Sequence, residues 1–164
     1  MKLADVNALS VEEFEATFGD IAEHSKWVAT KAFASKPFAS CEELIAAFQA
    51  AVMNAGKPPQ LALLNAHPDL ATRAKLTTDS TREQTGAGLD TLSAQEFENF
   101  TALNRQYKEQ NSFPFIFAVK GATKQQILEG FQTRIRNGKD VEFKTALEQV
   151  CRIIRFRLQD KVLP

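Results

Sequence analysis

Residues 93–107, SAQEFENFTALNRQY, contain the pattern on which the fold prediction depends. Ser93 and Glu96 have the spacing of a capping box, in which hydroxyl and carboxylate each accept a hydrogen bond from an otherwise unpaired backbone N–H at a helix start. Apolar or aromatic side chains then recur every three or four residues, at Phe97, Phe100, Leu103 and Tyr107. The stretch therefore predicts one long amphipathic helix that buries a single face.

The same start signal occurs three more times, as Ser10 with Glu13, Ser40 with Glu43, and Thr123 with Gln126. Apolar spacing predicts further helices from about Ile21 to Ala34, from Pro58 to His67, and after Asp140, which can cap the last helix. Residues 113–119, FPFIFAV, look locally like a strand. Because no partner strand is evident, we expect a buried extended segment or a helix start. The prediction is a single all-α domain, residues 1–164, of about seven or eight helices.

The composition argues against several classes of protein. The chain has 164 residues, of which 44% are hydrophobic and 24% charged, as in ordinary globular domains. Its formal net charge is zero, so nothing draws it generally to nucleic acid or anionic membranes. Half of the twenty basic residues lie from Lys120 onward, but acidic residues are interleaved with them, which favours a solvated surface. We expect neither nucleic acid nor a membrane as a partner.

Cysteine usage and the N-terminal sequence indicate the compartment. Cys41 and Cys151 are far apart and fit no zinc-binding or disulfide spacing, so we expect reduced, mostly buried thiols and no metal site. The N-terminal sequence has acidic residues where a signal peptide needs an apolar core. These features predict a cytoplasmic protein.

The stretch from Leu61 to Leu89, LALLNAHPDLATRAKLTTDSTREQTGAGL, concentrates residues that could do chemistry. His67 is the strongest candidate, because imidazole both gives and takes a proton near neutral pH. Pro68 would restrict the backbone before it and so fix the direction of the imidazole. The alternative is a histidine that merely interacts favourably with the last carbonyls of a helix. The residues alone leave both interpretations open.

Glu83 also has two interpretations. Ser80 and Glu83 form a fifth Ser-x-x-Glu match, so Glu83 could simply cap a helix. Alternatively, its carboxylate could orient His67 or a substrate N–H, with the Gln84 amide beside it. The residues alone favour the cap.

Arg157 interrupts the apolar face of the last predicted helix, three residues after Ile154. A guanidinium there must be paired, extend outward to solvent, or face a cavity that holds a polar ligand. Extension to solvent near the chain end is the commoner case.

Three blocks, read together, make the chain resemble a known family. They are LLNAHPDLA at residues 63–71, STREQTGAGLD at residues 80–90 and FPFIFAVKG at residues 113–121. In combination they are similar to the 2-oxo-4-hydroxy-4-carboxy-5-ureidoimidazoline (OHCU) decarboxylases, which form (S)-allantoin in urate degradation. The resemblance covers nearly the whole chain and implies an all-helical homodimer without cofactor, acting on a small ureidoimidazoline substrate.

The resemblance also implies roles for individual residues. His67 would be the central acid/base, with Pro68 shaping the pocket beside it. Glu83 and Gln84 would hold the ureido and ring groups of the substrate. The remaining substrate-binding positions implied by the family are Phe115, Phe117 and Arg157.

At Phe117 the chain departs from the family pattern, because many members have a smaller aliphatic residue there. A backbone contact to substrate would survive that change, whereas a side-chain fit would be in question. Two other functions stay open from the sequence: an acid/base enzyme acting on another ureide, and a non-catalytic helical binding module. The second predicts no loss of turnover when His67 is changed.

Overall fold

The computed structural model describes residues 1–72 and 77–163, and helices dominate them. Across these residues there are nine helices and no β-strand, apart from one isolated bridge between Lys2 and Leu163. The helices are α1 (Leu3–Ala8), α2 (Val11–Phe18), α3 (Trp27–Phe33), α4 (Cys41–Met53), α5 (Lys57–Ala66), α6 (Thr78–Gly86), α7 (Ala94–Asn111), α8 (Lys124–Arg134) and α9 (Lys139–Lys161). The predicted all-α class is confirmed, with more helices than the seven or eight expected.

The predicted helix starts are found where the capping residues lie. At Ser10, Ser93 and Thr123 both halves of the capping box are formed. At Ser40 only the hydroxyl takes part, accepting a hydrogen bond from the Glu43 N–H, because the Glu43 carboxylate accepts one from the Ala39 N–H instead. Four helices therefore begin where local chemistry predicts.

Two predicted boundaries are wrong. The helix predicted from Ile21 begins only at Trp27, because His24 adopts a left-handed conformation (φ +48°) that a right-handed helix cannot contain. Asp140 does not cap the last helix, since α9 already begins at Lys139 and Asp140 lies in its first turn. There its negative charge still interacts favourably with the helix N-terminus.

Contacts within the chain define two compact units. Unit 1 comprises residues 1–66 and the residues from 151 onward, and unit 2 comprises residues 67–150. The core of unit 1 is a cluster of phenyl rings around Phe14, whose centroid lies 4.8 Å from that of Phe18 and 6.0 Å from that of Phe48. Whether the whole chain acts as one domain stays a prediction.

The core of unit 2 is built around the segment between α7 and α8. Residues 113–119 are all buried except for Phe117, which is half-buried, and they form no helix or strand. We expected a buried extended segment or a helix start, and the segment is indeed buried and does not start a helix. Phe113 and Phe115 both pack edge-on against Tyr107 of α7, at centroid distances of 6.0 and 5.3 Å.

The thiols and the surface add two findings. Cys41 and Cys151 are free, as predicted, and both are half-buried. Each lies on a helix, Cys41 at the start of α4 and Cys151 inside α9. No helix within residues 1–72 and 77–163 combines the length and the apolarity that spanning a bilayer requires.

The C-terminal cap of α7 gives a stability prediction. Ser112 ends this helix in the left-handed conformation (φ +65°), which costs an L-residue about 1–2 kcal/mol. Ser112→Gly removes that strain but adds about 0.4–1 kcal/mol of unfolded-state entropy. We expect a net rise of roughly 0.5–1 kcal/mol in the free energy of unfolding, measured by urea denaturation. Ser112→Ala is the control, because it loses the hydroxyl but keeps the strain; equal stability of the two variants would contradict the prediction.

Candidate active site

His67 lies immediately after α5, at the first residue of unit 2. Pro68 follows it and disfavours helical geometry at residue 67, which explains why α5 ends at Ala66. His67 is buried, with only 8% of the residue exposed. Burial shields the imidazole from bulk water, which suits a group that transfers a proton to or from a bound ligand.

Two side-chain amides hold the turn that follows His67. The Ala71 N–H donates to Gln84 Oε1 at 3.0 Å, and Asn104 Nδ2 donates to the Leu70 carbonyl at 2.9 Å. Both amide side chains are buried, and Ala71 itself adopts a left-handed conformation (φ +58°). The turn is therefore fixed from α6 and from α7 at once.

The position of Glu83 excludes one of its two interpretations. The N-cap of α6 is Thr77, whose hydroxyl accepts from the Ser80 N–H at 3.2 Å, and both Ser80 and Glu83 lie inside the helix. The Ser80 to Glu83 match is thus not a capping box, and the capping interpretation of Glu83 is wrong. Glu83 is half-buried and Gln84 is buried on the same helix. Residues 73–76, which belong to the Leu61–Leu89 stretch, lie outside the described residues.

The Phe115 and Phe117 rings pack on α8. Phe115 is fully buried and stacks on Phe131, with centroids 3.8 Å apart and planes 11° from parallel. The Phe117 ring lies over Gly130, where an added Cβ would come within 2.8 Å of it. Glycine at residue 130 thus makes room for the phenylalanine that departs from the family pattern.

Arg157 belongs to unit 1 and is 2% exposed, so the interpretation as an arginine that extends to solvent is wrong. Its NH1 group donates to Glu23 Oε2 at 2.9 Å and to the Ile21 carbonyl at 3.2 Å. These partners lie in the turn before α3, more than 130 residues away in sequence. Arg157 is therefore paired, the first of the three possibilities for an arginine on this face.

Sequence reasoning missed three residues of unit 2 that hold the candidate site. Asn104 holds the turn after His67, Arg134 donates to the Ile116 carbonyl, and Gln149 accepts from the Ala118 N–H at 2.9 Å. Asn104 gave a signal, because it is a polar residue on the apolar face of α7. No sequence signal distinguishes Arg134 and Gln149 from the surface residues of an amphipathic helix.

Comparison with known proteins adds a family match and several relatives. A family model described as OHCU decarboxylase matches residues 7–159. A 2-oxo-4-hydroxy-4-carboxy-5-ureidoimidazoline decarboxylase of Haloferax volcanii is 42% identical over 98% of this chain and 96% of its own length. A uric acid degradation bifunctional protein of Bacillus subtilis is 41% identical over 95% of this chain, which corresponds to 32% of that protein.

Two solved structures are similar in fold. The crystal structure of (S)-allantoin synthase superposes with a TM-score of 0.78 at 33% identity, covering 99% of this chain and 54% of that one. The crystal structure of an OHCU decarboxylase in the presence of (S)-allantoin gives a TM-score of 0.74 over 93% of this chain and 98% of that one. At 22% identity the second likeness supports the fold alone.

Proposed function

Because the chain belongs to the OHCU decarboxylase family, and decarboxylates 2-oxo-4-hydroxy-4-carboxy-5-ureidoimidazoline to allantoin as that family does, we propose that His67 is its acid/base residue. One observation supports this choice above the others. His67 is buried at the start of a turn that Gln84 and Asn104 fix from two helices. The resemblance of the block that contains His67 and this geometry thus favour the same residue.

The chemistry of the substrate explains why its decarboxylation needs few catalytic groups. It has a hydroxyl and a carboxylate on one ring carbon, next to a C=N bond that accepts the electron pair released when CO2 leaves. Since this electron sink belongs to the substrate, the reaction needs neither pyridoxal nor thiamine nor a metal. The protein has to orient the carboxylate for cleavage and to control the proton that follows.

In the proposed mechanism the proton of the substrate hydroxyl is transferred between that hydroxyl and the His67 imidazole as the C–C bond to CO2 breaks. Glu83, from the half-buried part of α6, orients the imidazole and stabilises its protonated form. Protonation of the resulting ene-type intermediate on one face of the ureido-bearing carbon gives the S enantiomer. Pro68 keeps the imidazole direction fixed through the backbone it restricts.

Gln84 is proposed to act as a hydrogen-bond donor to the substrate. Its Oε1 already accepts from the Ala71 N–H at 3.0 Å, which leaves Nε2 as the group that can reach a ligand. A donor at this place suits the carbonyl oxygens of the ureido group and of the ring. Gln84 thus links the turn after His67 to the bound substrate.

Gln84→Glu separates these two contacts of the side chain. The carboxylate still accepts from the Ala71 N–H, so the fold is retained, but the donor to the substrate is lost. We expect KM to rise roughly tenfold, which corresponds to one lost hydrogen bond, with little change in thermal stability. Gln84→Met removes both contacts and should lower stability as well. An unchanged KM in Gln84→Glu would show that the amide does not donate to the substrate.

Phe115, Phe117 and Arg157 complete the proposed substrate contacts. The backbone of the segment that carries the two phenylalanines faces the ligand, and their rings, packed on α8, exclude water from behind it. Arg157 binds a carbonyl or carboxylate oxygen, and its ion pair with Glu23 holds the guanidinium in one orientation. A homodimeric state, a cytoplasmic location and a single domain stay predictions; sedimentation analysis tests the first.

The whole proposal is tested by generating the labile substrate in situ from urate and following the circular dichroism of the allantoin formed. Rapid appearance of an S signal that depends on this protein and on His67 supports both the reaction and the residue. Slow racemic product, equal with and without the protein, overturns the proposal. The His67 variants are designed in the Discussion.

A further inference from the structure

A buried polar network lies beneath the Phe113–Val119 segment. Glu142 of α9 is 0% exposed, and its carboxylate accepts hydrogen bonds from Tyr107 Oη at 2.6 Å, Arg134 Nε at 2.9 Å and Asn137 Nδ2 at 2.9 Å. Burial, and secondly the hydrogen bond to Glu142, raise the pKa of Tyr107 above its ordinary value, so the phenol stays protonated as a donor. Three donors around one carboxylate offset the cost of burying its charge.

Arg134 connects this network to the proposed pocket segment. Its NH1 group donates to the Ile116 carbonyl, and its guanidinium lies over the Phe115 ring, 4.4 Å from the centroid. Its NH2 group is buried and has no hydrogen-bond partner among the described residues, a cost that the other contacts must offset. The planar guanidinium therefore holds two neighbouring residues of the segment from one position on α8.

The contact with the Ile116 carbonyl fixes a whole peptide plane. The only cis peptide in the described residues is Lys36–Pro37, so the Ile116–Phe117 peptide is trans. In a trans peptide the C=O and the following N–H point in opposite directions. The Phe117 N–H therefore points away from the Arg134 guanidinium.

Gln149 fixes the next peptide in the same way. Its Oε1 accepts from the Ala118 N–H at 2.9 Å, so the Phe117 carbonyl points away from Gln149. Phe117 is also the one residue of the segment that is not fully buried. Both of its backbone polar groups are thus oriented by side chains that bind the flanking peptides.

We propose that Arg134 and Gln149 are positioning residues, which hold the two peptides around Phe117 so that its N–H donates to an oxygen of the substrate. This inference rests on the proposed function, because it assumes that the segment contacts the substrate. Hydrogen-bond donors that are already oriented bind an oxygen without the cost of reorganisation at the moment of reaction. Glu142 holds Arg134, and neither Arg134 nor Gln149 needs to touch the substrate.

Gln149 offers the cleaner test because it is half-buried and its replacement leaves the charge network intact. Gln149→Leu frees the Phe117–Ala118 peptide and should raise KM about tenfold, whereas Gln149→Glu keeps an acceptor for the Ala118 N–H and should restore the wild-type KM. Steady-state rates with substrate generated in situ give KM and kcat separately. If the role of Gln149 were purely structural, Gln149→Leu would be less stable than the wild type, but the two variants would have the same KM.

Arg134→Lys tests the other peptide. A lysine has one flexible ammonium and cannot serve Glu142 and the Ile116 carbonyl with the fixed fork geometry of a guanidinium. We expect a rise in KM of about tenfold. Arg136→Lys is the matched control on an exposed arginine. Tyr107→Phe removes one hydrogen bond from Glu142 but leaves Arg134 on Ile116, and should lower the melting temperature without changing KM.

The outcomes separate this inference from the function on which it rests. If the wild-type protein forms no optically active allantoin, the proposed function fails and the inference with it. If the wild type is active and His67→Ala is not, an unchanged KM in Gln149→Leu overturns the inference alone. Far-ultraviolet circular dichroism shows whether Arg134→Lys folds; if it does not, the Gln149→Leu and Gln149→Glu pair decides the result.

Discussion

His67→Ala is expected to abolish the stereoselective formation of allantoin and to leave the helical fold intact. A positioned acid/base contributes about 10²–10⁴-fold to a rate, so kcat/KM should fall by that factor. The fold should survive because α5 ends before residue 67, and because Gln84 and Asn104 hold the turn that follows. Residual product should be racemic, since the substrate also decays without an enzyme.

The chain offers a matched control in its only other histidine. His24 is exposed and adopts a left-handed conformation, which asparagine tolerates well. His24→Asn should therefore keep both the wild-type rate and the S product, whereas His67→Asn should behave like His67→Ala. Circular dichroism of the allantoin formed from urate through the two preceding steps measures both quantities. A His67 variant with wild-type turnover would refute the mechanism and favour a non-catalytic role for this residue.

Arg157→Met is expected to lower the free energy of unfolding by about 3–5 kcal/mol. The substitution keeps much of the side-chain volume but leaves the Glu23 carboxylate buried without its cation. It also removes the donor to the Ile21 carbonyl, in the turn that precedes α3. Urea denaturation, followed by circular dichroism, gives the loss in stability. A variant as stable as the wild type would show that the buried ion pair contributes nothing.

A double variant separates stability from substrate binding. Glu23→Leu combined with Arg157→Met removes both charges, and replacing a whole buried ion pair by apolar residues is often neutral for stability. We expect the double variant to recover a large part of the lost stability but none of the activity, because the proposed contact with the substrate is still missing. Turnover at the wild-type rate in the folded double variant would exclude Arg157 from the substrate contacts.

Local patterns predicted most of the helices because a cap involves residues only three apart. The hydroxyls of Ser10, Ser93 and Thr123 all bind the N–H that the sequence spacing indicates. The same pattern failed at Ser80, since a better-placed hydroxyl at Thr77 starts α6 one turn earlier. A motif of two residues cannot decide between two competing starts.

Long-range contacts limited the prediction of the candidate site. The sequence left three possible environments for the Arg157 guanidinium, but its pairing with Glu23 depends on a turn near the other end of the chain. Likewise, nothing near residue 134 indicates that its guanidinium reaches the Ile116 carbonyl, 18 residues earlier. His67, Glu83 and Gln84 were identifiable as candidates because they lie close together in sequence and because their blocks resemble a family.

The contact between Phe117 and Gly130 constrains how this enzyme can change over evolution. An alanine at residue 130 would place a Cβ within 2.8 Å of the phenyl ring, so the ring must shift or residue 117 must first become smaller. The reverse order, with the smaller side chain first, opens a gap but causes no clash. The two positions should therefore covary among related sequences, and libraries that aim to reshape the pocket should randomise them as a pair.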